Sequence, residues 1–364
     1  MYVILSILIL TALFTVIIVN QTQFGKAASG ESLERIRKSP NYKGASFQNL
    51  TFTPVFAEDV SRFEMIRDGI FKISKRKKPD SRLPSKKTNL LTLDQKRNLL
   101  VWFGHSSYFM QIDGKKILVD PVFSGSASPF SFMVPSFPGS DVYTVEELPA
   151  IDYLVITHDH WDHLDYQTVM KLMPQIGKVI TGLGTGAHLE YWGFNSDKII
   201  ELDWNEKAVL DSEFSITATP GRHFSGRNFK RNQSIWCSFV FQTQTKKIFI
   251  GGDSGYDTHF ARIGAEHGPF DLALLECGQY NKSWKYIHMK PEETVQAAID
   301  LKTKMLMPVH WGKFALSLHA WDEPIERVTK EALHLNVPLI NPMIGEEVNL
   351  NEFASASEWW KGIN

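Results

Sequence analysis

The pattern of hydrophobic and polar residues changes twice along the chain. Residues 3–19 are almost wholly apolar and uncharged, which is about the minimum length that crosses a bilayer. The following residues are polar, interrupted by proline and low in periodicity, whereas short apolar runs separated by Gly, Asp or Pro turns begin at residue 98. We therefore predict four parts: an apolar segment at 1–20, a polar and partly basic linker or N-terminal arm at 21–97, a folded domain at 98–350 and a C-terminal tail at 351–364.

The short apolar runs predict individual strands and helices. Two of them flank Asp113-Gly114, a dipeptide typical of a tight turn, and so predict a β-hairpin at 108–120. Further strands are predicted at 151–157, 178–181, 198–202, 213–219, 236–242, 247–251, 271–276 and 304–309, and helices at 166–174, 291–302 and 325–335. Strands dominate first and mix with helices later, which indicates an α+β domain whose helices cover a pair of sheets.

The apolar N-terminal segment has two interpretations. A secretory signal has basic residues before its apolar run and a small-residue cleavage site after it. Here no basic side chain precedes the run, and Ala27-Ala28-Ser29 is a poor cleavage site. Basic residues such as Lys26, Arg35 and Arg37 follow the run instead. Because basic flanks stay in the cytoplasm, we expect an uncleaved membrane anchor with the folded domain facing the cytoplasm; export of the domain is the alternative.

The composition restricts the partners. The formal net charge of −1 provides no field that attracts nucleic acid, so no nucleic-acid partner is expected. The basic run Lys72–Lys78 is either a solvated part of the linker or a contact for anionic lipid headgroups. The only two cysteines, Cys237 and Cys277, lie in apolar stretches, so the sequence offers no disulfide framework and no cysteine-based zinc site.

The most informative segment for function follows the apolar run 151–156. Between His158 and Asp165 it contains three imidazoles and three carboxylates. His158 and His160 are two residues apart, so in an extended segment both rings leave the same side and can bind one metal ion. Asp162 and His163 follow where the chain turns toward a helix, and they are placed to bind a second ion. Imidazole and carboxylate ligands without thiolate suit zinc, iron or manganese.

Three further candidate ligands come directly after other apolar runs. His223 follows the run 214–219, Asp253 follows 247–250, and His310 follows 305–309. Because side chains at the ends of separate strands converge on one rim, we expect all three to complete the same metal site.

These residues resemble the metallo-β-lactamase superfamily over roughly residues 98–350. The resemblance implies a four-layer αββα sandwich with a dinuclear site at one edge and two divalent metal ions, with zinc favoured, as cofactors. It implies seven ligands: His158, His160 and His223 on one ion, Asp162, His163 and His310 on the other, and Asp253 bridging both.

The chain resembles one branch of this superfamily more closely. That branch contains N-acylphosphatidylethanolamine-hydrolysing phospholipase D, RomA-like proteins and ascorbate-6-phosphate-lactonase-like proteins. The motifs that carry the resemblance are Trp102–Ser107, Asp120–Phe123, Arg222–Arg227, Gly252–Tyr256, His288–Glu293 and Val309–Gly312. True β-lactamases of this fold often use a cysteine in the second metal site. Neither cysteine here falls at a ligand position, which argues against that activity.

The resemblance also implies roles for residues around the ions. Asp253 would accept a proton from the attacking water, and His288 would protonate the leaving group or hold the oxyanion. Other residues would support the site: Asp120, Asp165 and His105 by orienting ligand side chains, and Arg222 and Arg227 by contacting a substrate phosphate. The alternatives are that His288 caps the following helix or lies in the core, that His105 only closes its turn, and that the arginines belong to a solvated basic loop.

Three functions are compatible with these residues. The favoured one is a membrane-associated phosphodiesterase of phospholipase D type that acts on N-acylphosphatidylethanolamine-like glycerophospholipids, with the membrane and a phospholipid or other phosphodiester as partners. A metal-dependent lactonase or amidase would use the same site on a carbonyl carbon. A non-catalytic metal-binding regulatory protein is less favoured, because all seven ligand positions are filled. The sequence is also compatible with a homodimer.

Overall fold

The computed structural model describes residues 2–353 and 357–363, so part of the predicted tail at 351–364 lies outside the described residues. In chain order the helices are α1 (Tyr2–Val19), α2 (Gly30–Lys38), α3 (Arg62–Phe71), α4 (Tyr166–Leu172), α5 (Gly186–Tyr191), α6 (His259–Glu266), α7 (Pro291–Asp300) and α8 (Glu323–His334). The strands are β1 (Tyr42–Lys43), β2 (Ser46–Phe47), β3 (Leu99–Trp102), β4 (Tyr108–Ile112), β5 (Lys115–Val119), β6 (Ile151–Ile156), β7 (Ile176–Gly182), β8 (Ile199–Leu202), β9 (Lys207–Val209), β10 (Ser215–Pro220), β11 (Cys237–Gln242), β12 (Lys247–Ile250), β13 (Leu272–Glu276), β14 (Leu306–Val309) and β15 (Glu347–Asn349).

Two large sheets form the framework. The larger one has seven strands in the order β15-β3-β4-β5-β6-β7-β8, and the smaller one has six in the order β14-β13-β12-β11-β10-β9. Each sheet contains both antiparallel and parallel pairs of strands. In the larger sheet, β3, β4 and β5 pair antiparallel, and β5 to β8 pair parallel. In the smaller sheet, β12, β13 and β14 pair parallel. The α+β class is confirmed, with two sheets flanked by helices.

Every predicted strand and helix is present, with ends that agree to within two residues. The hairpin of β4 and β5 pairs Ile112 with Lys115 across the predicted turn, and Asp113 and Gly114 both have positive φ, as a tight turn of this kind requires. The sequence missed short elements such as α5 and β9, because six or three residues are too few for a periodic pattern.

Alternate residues of the same strands build two cores. Trp102 and Tyr108 of the larger sheet pack in one cluster with Phe239 and Phe241 of the smaller sheet, which places this core between the sheets. Neighbours such as Val101 and Phe109 belong to a second cluster that also contains residues of α4 and α5. Because the central strands are buried on both faces, they are nearly continuous hydrophobic runs.

Segments on either side of the predicted domain also contribute to the core. Ile36, Phe47 and Leu83 from the N-terminal part are fully or almost fully buried in the cluster between the sheets. Trp360 near the C-terminus is fully buried and packs edge-to-face against Trp311, with 5.7 Å between ring centroids. In contrast, α1 buries none of its residues and has a mean hydropathy of 2.9. The boundaries at 98 and 350 stay a prediction.

The packing of Trp360 beside Trp311, the neighbour of His310, makes the C-terminal segment part of the fold that carries the site. Trp360→Ala leaves a large cavity, so we expect it to lower the free energy of unfolding by about 3–5 kcal/mol. Urea unfolding followed by circular dichroism measures this change. Lys361→Ala, at an exposed neighbouring position, should change it by less than about 0.5 kcal/mol. Equal stability of the two variants would contradict a structural role for the segment.

Candidate metal centre

The ends of four strands from both sheets meet at one edge of the sandwich. His158 follows β6 of the larger sheet, whereas His223, Asp253 and His310 follow β10, β12 and β14 of the smaller one. All seven residues predicted as ligands lie in groups whose nitrogen and oxygen atoms are within 4.8 Å of one another. The structure therefore brings together side chains that are up to 152 residues apart in the sequence, from His158 to His310.

The first group consists of three imidazoles. His160 Nδ1 lies 2.9 Å from His158 Nε2 and 3.2 Å from His223 Nε2. Nitrogen ligands of a tetrahedral zinc ion, each at about 2.0–2.1 Å from the metal, are about 3.3 Å apart. The three nitrogens thus have a spacing close to that of ligands on one metal ion. His223 donates its other ring N–H, on Nδ1, to the carbonyl of Ile287 at 2.8 Å, which fixes the orientation of its ring.

The second group is arranged around one oxygen of Asp253. Asp253 Oδ1 lies 3.2 Å from His163 Nε2 and 3.2 Å from His310 Nδ1, and Asp162 Oδ2 lies 3.5 Å from His163 Nε2. The other oxygen, Oδ2, lies 3.9 Å from His158 Nε2 on the side of the first group. Asp253 is therefore situated between the two groups.

Several buried polar atoms at the centre have no hydrogen-bond partner. Among the described residues they include His163 Nε2, His310 Nε2 and Asp253 Oδ1. An unpartnered polar atom in the interior is costly, and proteins retain very few of them. Because these atoms are also metal-ligating atoms, the donor set fits bound cations.

Burial determines the protonation of the first group. It holds the pKa of His158 and His223 well below the usual value for imidazole, so both rings are neutral at pH 7. Burial alone would raise the pKa of Asp253, but the neighbouring His163 and His310 outweigh it and hold this pKa well below its usual range. Neutral imidazole and ionised carboxylate are the forms in which these side chains bind metals.

The residues expected to orient the ligands have different positions. Asp120 Oδ2 accepts a hydrogen bond from His163 Nδ1 at 2.8 Å, and His105 Nε2 lies 2.9 Å from Asp162 Oδ2. Both contacts are of the kind that an orienting residue makes, and the two roles stay a prediction. Asp165 instead caps the N-terminus of α4 by accepting from the backbone N–H of Gln167, and none of its hydrogen bonds within the described chain involves an imidazole. The orienting role expected for Asp165 is therefore corrected to a capping role.

Two supporting residues were missed by the sequence analysis. Glu276, at the end of β13, is fully buried, and its Oε2 lies 2.7 Å from Nδ1 of His288. Burial raises the pKa of Glu276, and the Glu276 carboxylate raises that of His288 against the opposing effect of burial. Ser106 Oγ lies 2.9 Å from His310 Nδ1. A carboxylate that ends an otherwise apolar strand was the available signal for Glu276.

A cavity of about 210 Å³ opens above the two groups. Its base is polar, and its walls are largely apolar. The residues that line it are His160, Asp162, His223, Asp253, His288 and His310 at the base, and Val55, Phe56, Phe224, Arg231, Gln279, Trp284, Ile287 and Leu316 on the walls. His288 is thus brought to the cavity, as predicted.

The two arginines expected to contact a phosphate do not line this cavity. Arg227 is buried beneath the candidate metal-binding loop, His158–Asp165. Its guanidinium donates to the carbonyls of Asp159, Leu164 and Gln23 and stacks on Trp161. Arg222 points toward the N-terminal segment: its Nε donates to Thr53 Oγ1 and its guanidinium stacks on Tyr286.

The expectation that Arg222 and Arg227 bind phosphate is therefore not supported by their positions. Arg231, which lies on the loop between β10 and β11 together with Arg222 and Arg227, lines the cavity.

Comparison with known proteins agrees with this architecture. The profile of the β-lactamase superfamily domain matches residues 115–311, more than half of the chain. The chain belongs to this superfamily. It is 39% identical to an uncharacterized protein of Mycobacterium tuberculosis over 343 residues, 92% of each chain. It is also 29% identical to N-acyl-phosphatidylethanolamine-hydrolyzing phospholipase D 1 of Caenorhabditis elegans, over 68% of this chain and 76% of the relative.

A solved structure shares the fold. It is that of Igni18, a metallo hydrolase from the archaeon Ignicoccus hospitalis, which superimposes with a TM-score of 0.54 at 22% identity and covers 70% of this chain and 98% of its own. The predicted family and the metallo-β-lactamase fold are confirmed. Like its relatives in the superfamily, the protein is a metal-dependent hydrolase.

The position of Arg227 leads to a prediction about stability. Arg227→Met keeps an unbranched apolar stem but removes the guanidinium, so the carbonyls of Asp159, Leu164 and Gln23 lose its donors. We expect a loss of about 3 kcal/mol in the free energy of unfolding, measured by chemical denaturation. Arg262→Met, at an exposed position of α6, is the matched control and should change this value by less than about 0.5 kcal/mol. An unchanged value for Arg227→Met would show that its hydrogen bonds are dispensable.

Proposed function

We propose that this protein is a membrane-associated phosphodiesterase of phospholipase D type, which hydrolyses N-acylphosphatidylethanolamine-like glycerophospholipids with two divalent metal ions, preferentially Zn²⁺. The observation that carries the proposal is the position of Asp253 between two groups of imidazoles, at the base of a cavity with apolar walls. A dinuclear centre suits the clamping of the attacking and leaving oxygens of a phosphodiester.

The assignment of ligands follows the two groups. His158, His160 and His223 would hold one ion, and Asp162, His163 and His310 the other, with Asp253 shared between them. The unpartnered ring nitrogens of His163 and His310 and the unpartnered oxygen of Asp253 support this assignment. The absence of thiolate favours zinc or another borderline cation over ions that prefer sulfur.

The ions would supply Lewis acidity and a water of lowered pKa. The other steps fall to side chains of the protein. Asp253 is placed to accept a proton from the attacking water. His288 turns Nδ1 toward Glu276, so its Nε2 is the nitrogen available to donate a proton to the leaving alcohol. Asp120 and His105 hold His163 and Asp162 in place.

The choice of substrate rests on the walls and on α1. Phe56, Phe224 and Trp284 offer apolar surface for lipid chains, and Arg231 offers a cationic group beside the polar base. Helix α1 is long and apolar enough to cross a bilayer, and we assign it as an uncleaved anchor with the domain on the cytoplasmic side. The similarity to a phospholipase D of Caenorhabditis elegans supports the same substrate class.

Removal of the shared carboxylate should abolish both metal binding and hydrolysis. We expect the purified full chain to hold about two metal ions and to hydrolyse bis(p-nitrophenyl) phosphate in a chelator-sensitive reaction. Asp253→Ala should lose both properties, whereas Asp197→Ala, at an exposed position, should keep them. Elemental analysis and the chromogenic assay measure the two effects. Turnover of a lactone but of no phosphodiester would favour the lactonase alternative, and absence of bound metal would refute the proposed centre.

The role of His288 is separable from metal binding. His288→Gln should lower kcat for the phosphodiester by about 10²- to 10⁴-fold, the usual contribution of a general acid, with unchanged metal content. His334→Gln, on the exposed side of α8, should leave kcat unchanged. Steady-state kinetics combined with elemental analysis tests the role. Loss of metal from His288→Gln would instead make His288 part of the metal centre.

A further inference from the structure

Helix α3 has an unusual orientation on the surface of the protein. Phe63, Ile66 and Ile70 recur at intervals of three and four residues and therefore share one helix face. Their exposed fractions are 75%, 64% and 63%. The half-buried positions of the helix include Glu64 and Asp68, and no residue of α3 is fully buried. A surface helix normally turns its apolar face inward, whereas this one presents its apolar face to solvent.

Hydrogen bonds within the chain itself define the start of α3. Ser61 Oγ accepts a hydrogen bond from the backbone N–H of Glu64, and Glu64 Oε2 accepts one from the backbone N–H of Ser61. This capping box satisfies two backbone donors that the first turn would otherwise leave free. The apolar face is therefore held on a helix with a defined start.

The segments on both sides of α3 are bonded to the rim of the cavity. Before the helix, Val55 and Phe56 line the cavity, and the backbone N–H of Ala57 donates to the carbonyl of Ser283 at 2.8 Å, next to Trp284 of the cavity wall. After the helix, the backbone N–H of Ser74 donates to the carbonyl of Leu318 at 2.8 Å. Leu318 is two residues from Leu316, which lines the cavity. Helix α3 is therefore connected on both sides to residues at or next to the cavity wall.

Two other apolar features lie close in sequence to residues that line the cavity. Phe229 is 82% exposed on the loop between Phe224 and Arg231, both of which line the cavity. Just after α1, Phe24 packs edge-to-face on Trp161, with 5.1 Å between ring centroids, and Trp161 lies between two cavity-lining residues of the metal-binding loop. The Phe229 loop and the segment before α3 thus both carry residues that line the cavity.

The charges around α3 match an anionic surface. Lys75, Lys78 and Lys282 are exposed and form no ion pair with any described residue. Lys282 lies beside Ser283, to which the chain before α3 is bonded. Lysines next to exposed apolar residues bind phosphate headgroups, while the apolar side chains enter the boundary between headgroups and acyl chains.

We propose that α3 and the Phe229 loop form a docking surface for an anionic lipid bilayer, distinct from the α1 anchor, so that the mouth of the cavity opens onto the membrane. The inference rests on the proposed function, because a bilayer would then supply the lipid substrate directly to the metal centre. It adds that α3 determines how the domain is oriented on the membrane, whereas α1 alone would only tether it.

The full chain, reconstituted into phosphatidylcholine vesicles with or without phosphatidylglycerol, provides the test. Ile66→Cys is labelled with an environment-sensitive fluorophore; both native cysteines are buried, so the label goes to the new thiol. We expect nitroxide lipids to quench this label, more strongly when phosphatidylglycerol is present. A label on Leu333→Cys, 81% exposed on α8, is the matched control and should remain unquenched.

A second variant connects docking to turnover. Combined replacement Phe63→Ser, Ile66→Ser and Ile70→Ser should lower hydrolysis of vesicle phospholipid about tenfold, because the apolar contact with the bilayer is lost. Hydrolysis of soluble bis(p-nitrophenyl) phosphate should stay unchanged, which also shows that the variant is folded. Leu333→Ser should leave both rates unchanged.

The outcomes separate this inference from the proposed function. Equal quenching at both labelled positions, or none at Ile66, would overturn the docking surface. Energy transfer between Ile66 labels of two copies, in place of lipid quenching, would assign the face to a second copy of the chain and overturn the lipid partner. Quenching at Ile66 without hydrolysis of any phosphodiester would refute the proposed substrate class while the docking surface stands.

Discussion

The structure depends on the burial of Asp253 between two groups of imidazoles. Carboxylates and imidazoles lose their hydration in such a site, and three of the ligating atoms find no hydrogen-bond partner in the described chain. The cost is tolerated because two sheets hold the strand ends rigidly around this point. Bound cations would satisfy the same atoms, so the arrangement that is costly for the fold alone suits a metal centre.

Contacts outside the centre fix its geometry. Asp120 and Ser106 bond to the ring nitrogens of His163 and His310, and His105 contacts Asp162. Arg227 joins the metal-binding loop to the chain that leaves α1 through carbonyls on both segments. One buried guanidinium thereby connects the chain just after α1 with the segment that carries the candidate ligands.

Sequence reasoning placed together residues whose type has few uses, and it failed where a residue type has several. Histidines in the spacing of His158 and His160 have few uses besides metal binding. An aspartate such as Asp165 can orient a ligand or cap a helix, and the start of α4 determined which. An arginine such as Arg227 can bind phosphate or satisfy buried carbonyls, and only the packing of Trp161 and the chain near Gln23 around it decided this.

The sequence by itself determined the strands, the turn at Asp113-Gly114, the family and the set of metal-ligating candidates, because these follow from local periodicity and from the chemistry of adjacent residues. The tertiary structure decided which carboxylate supports His288, which arginine faces the cavity and which helix presents its apolar face to solvent. Glu276, Arg231 and α3 are defined by neighbours that are distant along the chain. No local pattern contains that information, because packing between distant segments creates it.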